Sequence, residues 1–150
     1  MISYRTAIQS TVLAAAVTLS GCGWMSSMTG SDTMTMKNAA TGAQEVPPVT
    51  TGGSGTVEST FNKSTNILTW KVTYSGLSGP VTAGHIHGPA AAGANAGVVI
   101  PFSGSLASPF EGKATLTAAQ VADLTAGRYY VNLHTAKHPG GELRAQLTPK

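Results

Sequence analysis

The chain has 150 residues, a formal net charge of +3 and four histidines. This length fits one domain with a modest core, and so small a positive charge excludes the strongly basic class of nucleic-acid-binding proteins. Only six residues are acidic, which leaves little material for hydrolytic mechanisms built on pairs of carboxylates.

Residues 1–21 have the pattern of a secretory signal. Arg5 is the only charge in them, and residues 8–19 form a mostly apolar run. At about 12 residues this run is too short to span a bilayer core, which requires about 20. The end of the segment, Leu19-Ser20-Gly21-Cys22, resembles the bacterial lipobox, in which the cysteine receives diacylglycerol and becomes the first residue after cleavage. The alternative is an ordinary signal peptide with a chance cysteine.

Cys22 is the only cysteine of the chain, so the protein forms no internal disulfide and a single leftover thiol requires a reason. Lipidation supplies that reason. We therefore expect a mature protein tethered by lipid in a bacterial cell envelope, with the membrane as its one expected partner. In a Gram-negative host, Gly23 rather than Asp after the cysteine favours the outer membrane, facing the periplasm.

Residues 22–37 lack apolar periodicity and are rich in Met, Ser and Thr, which predicts a flexible tether. The methionine thioethers of this segment are soft ligands that suit Cu(I). The alternative is that the segment is a plain spacer and its methionines bind nothing. The remaining residues, 38–150, are predicted to form one domain.

Short β-rich segments separated by glycine and proline clusters follow in this domain. They are residues 55–61, 67–74, Val81–His87, 97–102, 110–116, 128–134 and 142–147. Segment 67–74 alternates apolar and polar residues, as a half-buried antiparallel strand does. Thr117 and Gln120 fit a capping box, and Gly127 fits a helix stop, so one short helix is predicted. The pattern predicts an all-β fold, an antiparallel Greek-key-like β-sandwich with one short helix.

All four histidines lie in segments 83–90 and 130–144. On a strand, His85 and His87 point to one face, whereas on a helix residues two apart diverge. A strand His-x-His can thus converge on one ion at about 2 Å N–metal distances. The same parity places Asn132 and His134 on one face of their strand.

A transition-metal site, for Cu or Zn, is one hypothesis from this pattern. Its ligands would be His85, His87 and His134, with Glu142 as a fourth ligand or supporting partner. Asn132 and Arg144 would orient the metal-bound side chains. The alternative is a structural polar clasp in which these same residues bond to one another. His138 is then a solvated loop residue.

Three motifs resemble those of the CHRD domain family, which includes chordin and bacterial envelope proteins. They are Ala43-Gln44-Glu45-Val46-Pro47-Pro48, Gly84-His85-Ile86-His87-Gly88-Pro89-Ala90, and residues 130–146. The resemblance covers about residues 38–148. Gly84 stands where the family pattern has Ala, and Ala145 stands where it has Gly.

The resemblance implies an all-β domain without a well-established activity. The His-x-His segment is also similar to the strand of copper/zinc superoxide dismutases, which, like immunoglobulin domains, are β-sandwiches. The leading hypothesis is a lipid-anchored binding or structural module with a metal site. The alternatives are a dismutase-like metalloenzyme and a purely structural envelope lipoprotein. No catalytic residue is assigned, and the sequence favours a non-enzyme.

Overall fold

The computed structural model of the chain describes residues 31–149. The predicted signal, Cys22 and the first part of the predicted tether lie outside these residues. The strands are β1 (Thr33–Thr41), β2 (Ser54–Asn62), β3 (Ile67–Ser75), β4 (Val81–His87), β5 (Val98–Pro101), β6 (Phe110–Thr115), β7 (Tyr129–Thr135) and β8 (Leu143–Leu147). One helix, α1 (Ala118–Thr125), precedes β7, and a 3-10 turn (Gly42–Gln44) follows β1. Within the described residues, no helix has the length and apolar character that crossing a membrane requires.

The eight strands form one antiparallel sheet in the order β5-β4-β7-β8-β1-β2-β3-β6. The all-β prediction with one short helix is confirmed. Two four-stranded halves enclose a common core, as a sandwich predicts. They are nevertheless continuous, because Thr41 of β1 pairs with Arg144 of β8.

The opposite edges of the sheet approach each other, so the sheet is nearly closed. Phe102 directly follows edge strand β5, and its ring lies 5.5 Å from that of Phe110, which begins the other edge strand, β6. Trp70 of β3 stacks on Phe102 at 5.1 Å. These aromatic contacts enclose apolar surface that an open sheet would leave in water.

Strand β1 corrects the predicted boundary between tether and domain. It begins at Thr33, five residues before the predicted start of the domain. Met36 is only 2% exposed, and Met34 packs partly against the core. Methionine and threonine alternate in this segment, and the methionines of β1 face inward because of this period of two. Part of the predicted spacer is therefore an integral strand of the sheet.

The other predicted elements are found close to their predicted positions. Helix α1 begins with the predicted capping box, in which the Thr117 hydroxyl accepts from Gln120 N and the Gln120 side chain accepts from Thr117 N. The sequence departure at Gly84 also has a physical reason. A Cβ at Gly84 would lie 2.8 Å from the Phe102 ring, which occupies that space.

Candidate metal centre

Strands β4 and β7 bring three histidines together on the outer face of the sheet. His85 pairs with Asn132 and His87 with Tyr130 across the two strands. His134, two residues beyond Asn132, is therefore the diagonal neighbour of His85. One ring nitrogen from each of these three histidines lies within 4.8 Å of the other two.

Backbone carbonyls fix the orientation of two of the three imidazoles. His134 Nδ1 lies 2.9 Å from Pro139 O, and His87 Nδ1 lies 3.0 Å from Ala96 O. A carbonyl oxygen can only accept a hydrogen bond, so both Nδ1 atoms are the donors. In each neutral ring, Nε2 then carries the lone pair that can bind a metal.

His85 and His134 also contact each other. His85 Nδ1 lies 3.1 Å from His134 Nε2, and because His134 Nε2 carries a lone pair, His85 Nδ1 is the donor when both rings are neutral. His87 Nε2 is buried and has no hydrogen-bond partner among the described residues. A buried acceptor without a partner has an energetic cost that a bound cation would remove.

Burial favours the neutral imidazole at His85 and His87, which is the form that binds metal. Burial lowers the pKa of His85, and the nearby His134 and His87 lower it further. Burial also lowers the pKa of His87, partly offset by its bond to the Ala96 carbonyl. All three side chains are half-buried.

The structure does not bring Glu142 to the histidines. Its carboxylate is fully buried and accepts hydrogen bonds from three other residues. Oε1 accepts from the Thr51 hydroxyl at 2.6 Å and Ser78 N at 2.9 Å, and Oε2 accepts from the Ser78 and Thr135 hydroxyls at 2.5 and 2.6 Å. Burial alone raises the pKa of Glu142, but these bonds outweigh it and lower the pKa to about 2.

The strand-parity argument fails at Glu142 because this residue lies just outside β8. The preceding Gly141 has a φ of +130°, which interrupts the extended alternation of side chains. Glu142 therefore meets Thr135, which shares the parity of the inward-facing Leu133, instead of His134. It supports the fold at one end of the sheet and is not positioned as a metal ligand.

Asn132 and Arg144 lie close to the cluster but make no hydrogen bond to an imidazole. The Asn132 amide donates to both carboxylate oxygens of Glu45, at 2.7 and 2.8 Å. The Arg144 guanidinium lies 3.5 Å from the Tyr130 ring centroid, and Tyr130 stacks on His87 with centroids 5.0 Å apart. Arg144 thus contacts the cluster through the Tyr130 ring rather than through a hydrogen bond to an imidazole.

Arg144 also holds the loop that orients His87. It donates to Ala94 O at 2.6 Å and to the Asn95 side chain at 3.0 Å. The next residue, Ala96, provides the carbonyl that accepts from His87. The side chain of His138 is not part of the cluster; its backbone closes the turn that ends near Pro139.

Several residues that shape the site were not predicted from the sequence. Ala96 and Pro139 act through backbone carbonyls, which no sequence pattern reveals. Glu45 belongs to a recognised motif, but nothing local indicates that it reaches Asn132, which is 87 positions away. Tyr130 did have a signal, because its parity places it on the same face as Asn132 and His134.

The fold and site together define a class: a nearly closed antiparallel β domain with a three-histidine cluster on its outer face. The CHRD domain model matches residues 36–147 of the chain. This match covers most of the sequence, and the chain belongs to the CHRD domain family. No curated protein and no solved structure matches the chain.

Proposed function

We propose that this protein binds one divalent transition-metal ion, Zn(II) or Cu(II), through His85, His87 and His134. The observation that carries the proposal is the convergence of three ring nitrogens within 4.8 Å of one another. Imidazole is a preferred ligand of both metals. Metal-bound histidines commonly donate their second N–H to a carbonyl, as His87 and His134 do here.

The distance between two of the rings is already close to that of a metal site. Two nitrogens bound at 2.0–2.1 Å to a tetrahedral ion are about 3.3 Å apart, and His85 Nδ1 and His134 Nε2 are 3.1 Å apart. The ion would take the place of the proton between them. His85 would shift that proton to its own Nε2. The ring would stay neutral, so His85 would bind the ion without releasing a proton.

Three protein ligands leave the ion with an open coordination position. Glu142 is held by hydroxyl groups elsewhere, and no carboxylate joins the histidine group in residues 31–149. Water or a small ligand from solvent would complete the coordination, since the cluster is half-exposed. We favour a binding module over a dismutase-like enzyme, because a dismutase site of the copper/zinc type needs two metals bridged by a histidine, and residues 31–149 hold one histidine group that could bind a metal.

A structural clasp is the second candidate, and one observation favours it. The chain of hydrogen bonds from His85 to His134 to the Pro139 carbonyl links β4, β7 and the following turn without any ion. In this case the histidines contribute to stability in the metal-free protein. The two candidates therefore predict different effects of removing a histidine. A clasp predicts lower stability in the metal-free protein, whereas a metal site predicts a loss of stability mainly in the metal-loaded protein.

Metal titration of the purified chain by isothermal calorimetry tests the proposal. We expect one Zn(II) or Cu(II) per chain, with binding that weakens in acid because protons compete for the imidazole nitrogens. Burial lowers the pKa of His85 and of His87, so the loss should begin below the ordinary imidazole value of about 6.5. His87→Ala should abolish this binding. His138→Ala removes a histidine outside the cluster and should leave it unchanged. Equal loss in both variants, or no binding by the wild type, would contradict the proposal. Redox turnover by the copper-loaded chain would favour the dismutase alternative.

We further propose that Cys22 is lipid-modified and holds the domain at a bacterial envelope membrane. The support is the sequence Leu19-Ser20-Gly21-Cys22 after an apolar run. Strand β1 begins at Thr33, so the intervening segment could hold the domain within about 40 Å of the anchor even when fully extended.

Membrane fractionation tests the anchor. The wild type should sediment with membranes, and Cys22→Ser should appear in the soluble fraction. Mass spectrometry of the N-terminal peptide should show the diacylglycerol mass only in the wild type. A Cys22→Ser variant that still sediments with membranes, together with a wild-type peptide that carries no lipid mass, would contradict the assignment.

A further inference from the structure

A cavity separate from the three ring nitrogens lies against the outer face of β8. It has a volume of about 340 Å³, within the range of small-molecule sites in proteins. Its walls come from the segment after β1 and from the loop that precedes β5. Most of the lining is small or apolar, and includes Ala43, Val46, Pro48 and Ala92.

The lining of this cavity includes a buried cation that makes no ion pair within the described residues. Arg144 is 1% exposed, and no carboxylate of residues 31–149 lies within ion-pair distance of it. A guanidinium has five N–H groups. Two hydrogen bonds, to Ala94 O and Asn95 Oδ1, are made by protein groups of the described chain. A buried charge is costly unless it is paired, and the contact with the Tyr130 ring offsets only part of this cost.

Glu45 is the one other ionisable side chain that lines the cavity, and it does not neutralise Arg144. It is 5% exposed, and its two oxygens accept from Asn132 rather than from Arg144. Burial raises the pKa of Glu45 to about 7, although Arg144 and Asn132 act in the opposite direction. Near neutral pH a large share of the molecules therefore has an uncharged Glu45 beside a charged Arg144.

We propose that this cavity binds a small organic carboxylate, with its carboxylate on the Arg144 guanidinium and a short apolar body against Ala43, Val46 and Ala92. The planar fork of an arginine matches a carboxylate and forms strong charge-assisted bonds with it. The apolar walls favour a ligand with a hydrocarbon part over an inorganic anion. The lining of the cavity includes none of the three histidines, so the carboxylate site can be tested in the absence of metal.

Ligand-observed NMR on the full chain, with a chelator present, tests this site separately from the metal site. The probe is butyrate, and butyramide is its uncharged isostere. We expect butyrate to bind at least about tenfold more tightly than butyramide, because only the carboxylate forms charge-assisted bonds. Arg144→Gln should reduce butyrate binding by a similar factor.

A second variant keeps the test valid if Arg144→Gln does not fold. Ala92 is exposed at the cavity wall, so Ala92→Trp should narrow the cavity and abolish butyrate binding while the melting temperature stays unchanged. Ala91→Trp changes an exposed neighbour outside the cavity lining and should bind butyrate as the wild type does.

Four results would overturn the proposal. They are absence of saturable butyrate binding, equal binding of butyramide, wild-type affinity in a folded Ala92→Trp chain, and tighter binding of inorganic phosphate than of butyrate.

Discussion

Two buried glutamates show how hydrogen-bond partners control charge at the scale of single residues. Glu142 and Glu45 are 0% and 5% exposed. Glu142 accepts four hydrogen bonds, and its pKa falls to about 2, whereas Glu45 accepts only from the Asn132 amide, and its pKa rises to about 7. At Glu142 the hydrogen bonds outweigh desolvation, whereas at Glu45 desolvation outweighs the opposing effects of Arg144 and the Asn132 amide.

Glu142 should make the fold sensitive to acid over a defined pH range. A carboxyl with a lowered pKa in the folded state stabilises the fold above its unfolded pKa, and this stabilisation is lost as the pH falls. For Glu142 the loss should extend from about pH 4.5 to about pH 2, and the full effect is on the order of 3 kcal/mol. Urea unfolding at pH 6, 4 and 2.5 measures it.

Glu142→Gln should lower the free energy of unfolding at pH 6 and flatten its decline in acid, because a neutral amide cannot accept all four bonds. Glu111→Gln, at an exposed side chain, is the matched control and should keep the wild-type pH profile. A Glu142→Gln profile parallel to that of the wild type would show that this carboxylate is not the group responsible.

At the scale of elements, strand β1 is the one whose composition hid its structure: it was predicted as part of a tether. Its residues are Thr, Met, Lys, Asn and Ala, a composition shared with unstructured linkers, and the prediction of a tether relied on that composition. The signal that could have found it is the alternation of Met34 and Met36 with threonine and lysine. The segment forms a strand because β2 and the core satisfy its backbone and its methionines.

Met36→Ala tests this correction. Because Met36 is 2% exposed, truncation should cost about 2–5 kcal/mol in the free energy of unfolding. Met34→Ala, at a side chain that is only partly buried, should cost clearly less. Chemical denaturation of both variants measures the difference, and wild-type stability in Met36→Ala would mean that β1 is not packed as described.

Strand parity correctly predicted which histidines share a face inside the strands, but it failed beyond the strand ends. His85, His87 and His134 lie within β4 and β7, where side chains alternate regularly, and the three converge as the alternation requires. Glu142 precedes the first residue of β8, and Gly141 at φ +130° changes the direction of the chain. The alternation of side chains therefore predicts their direction only where strand pairing keeps the backbone extended.

At the scale of the whole molecule, loops cover the part of the outer face that carries Asn132 and Arg144, and the sequence did not indicate this cover. The sequence placed Asn132 on the same face as His134 and made Arg144 a supporting partner of the metal site, but both residues are almost fully buried. The loop preceding β5 and the segment after β1 fold over that face, and Asn95 joins them through its bond to Val46 O. These contacts link residues 49 or more positions apart, so no local pattern reveals them. The result is an apolar core inside the sheet and a polar layer outside it.

The most direct test of a metal centre in this fold is a set of thermal melting curves. Wild type, His87→Ala and His138→Ala are each melted with chelator and with added Zn(II). An ion that binds only the native state adds stability by mass action, so Zn(II) should raise the melting temperature of the wild type and His138→Ala, with no shift in His87→Ala. No zinc-dependent shift in the wild type, or the same shift in all three chains, would contradict a metal site formed by His85, His87 and His134.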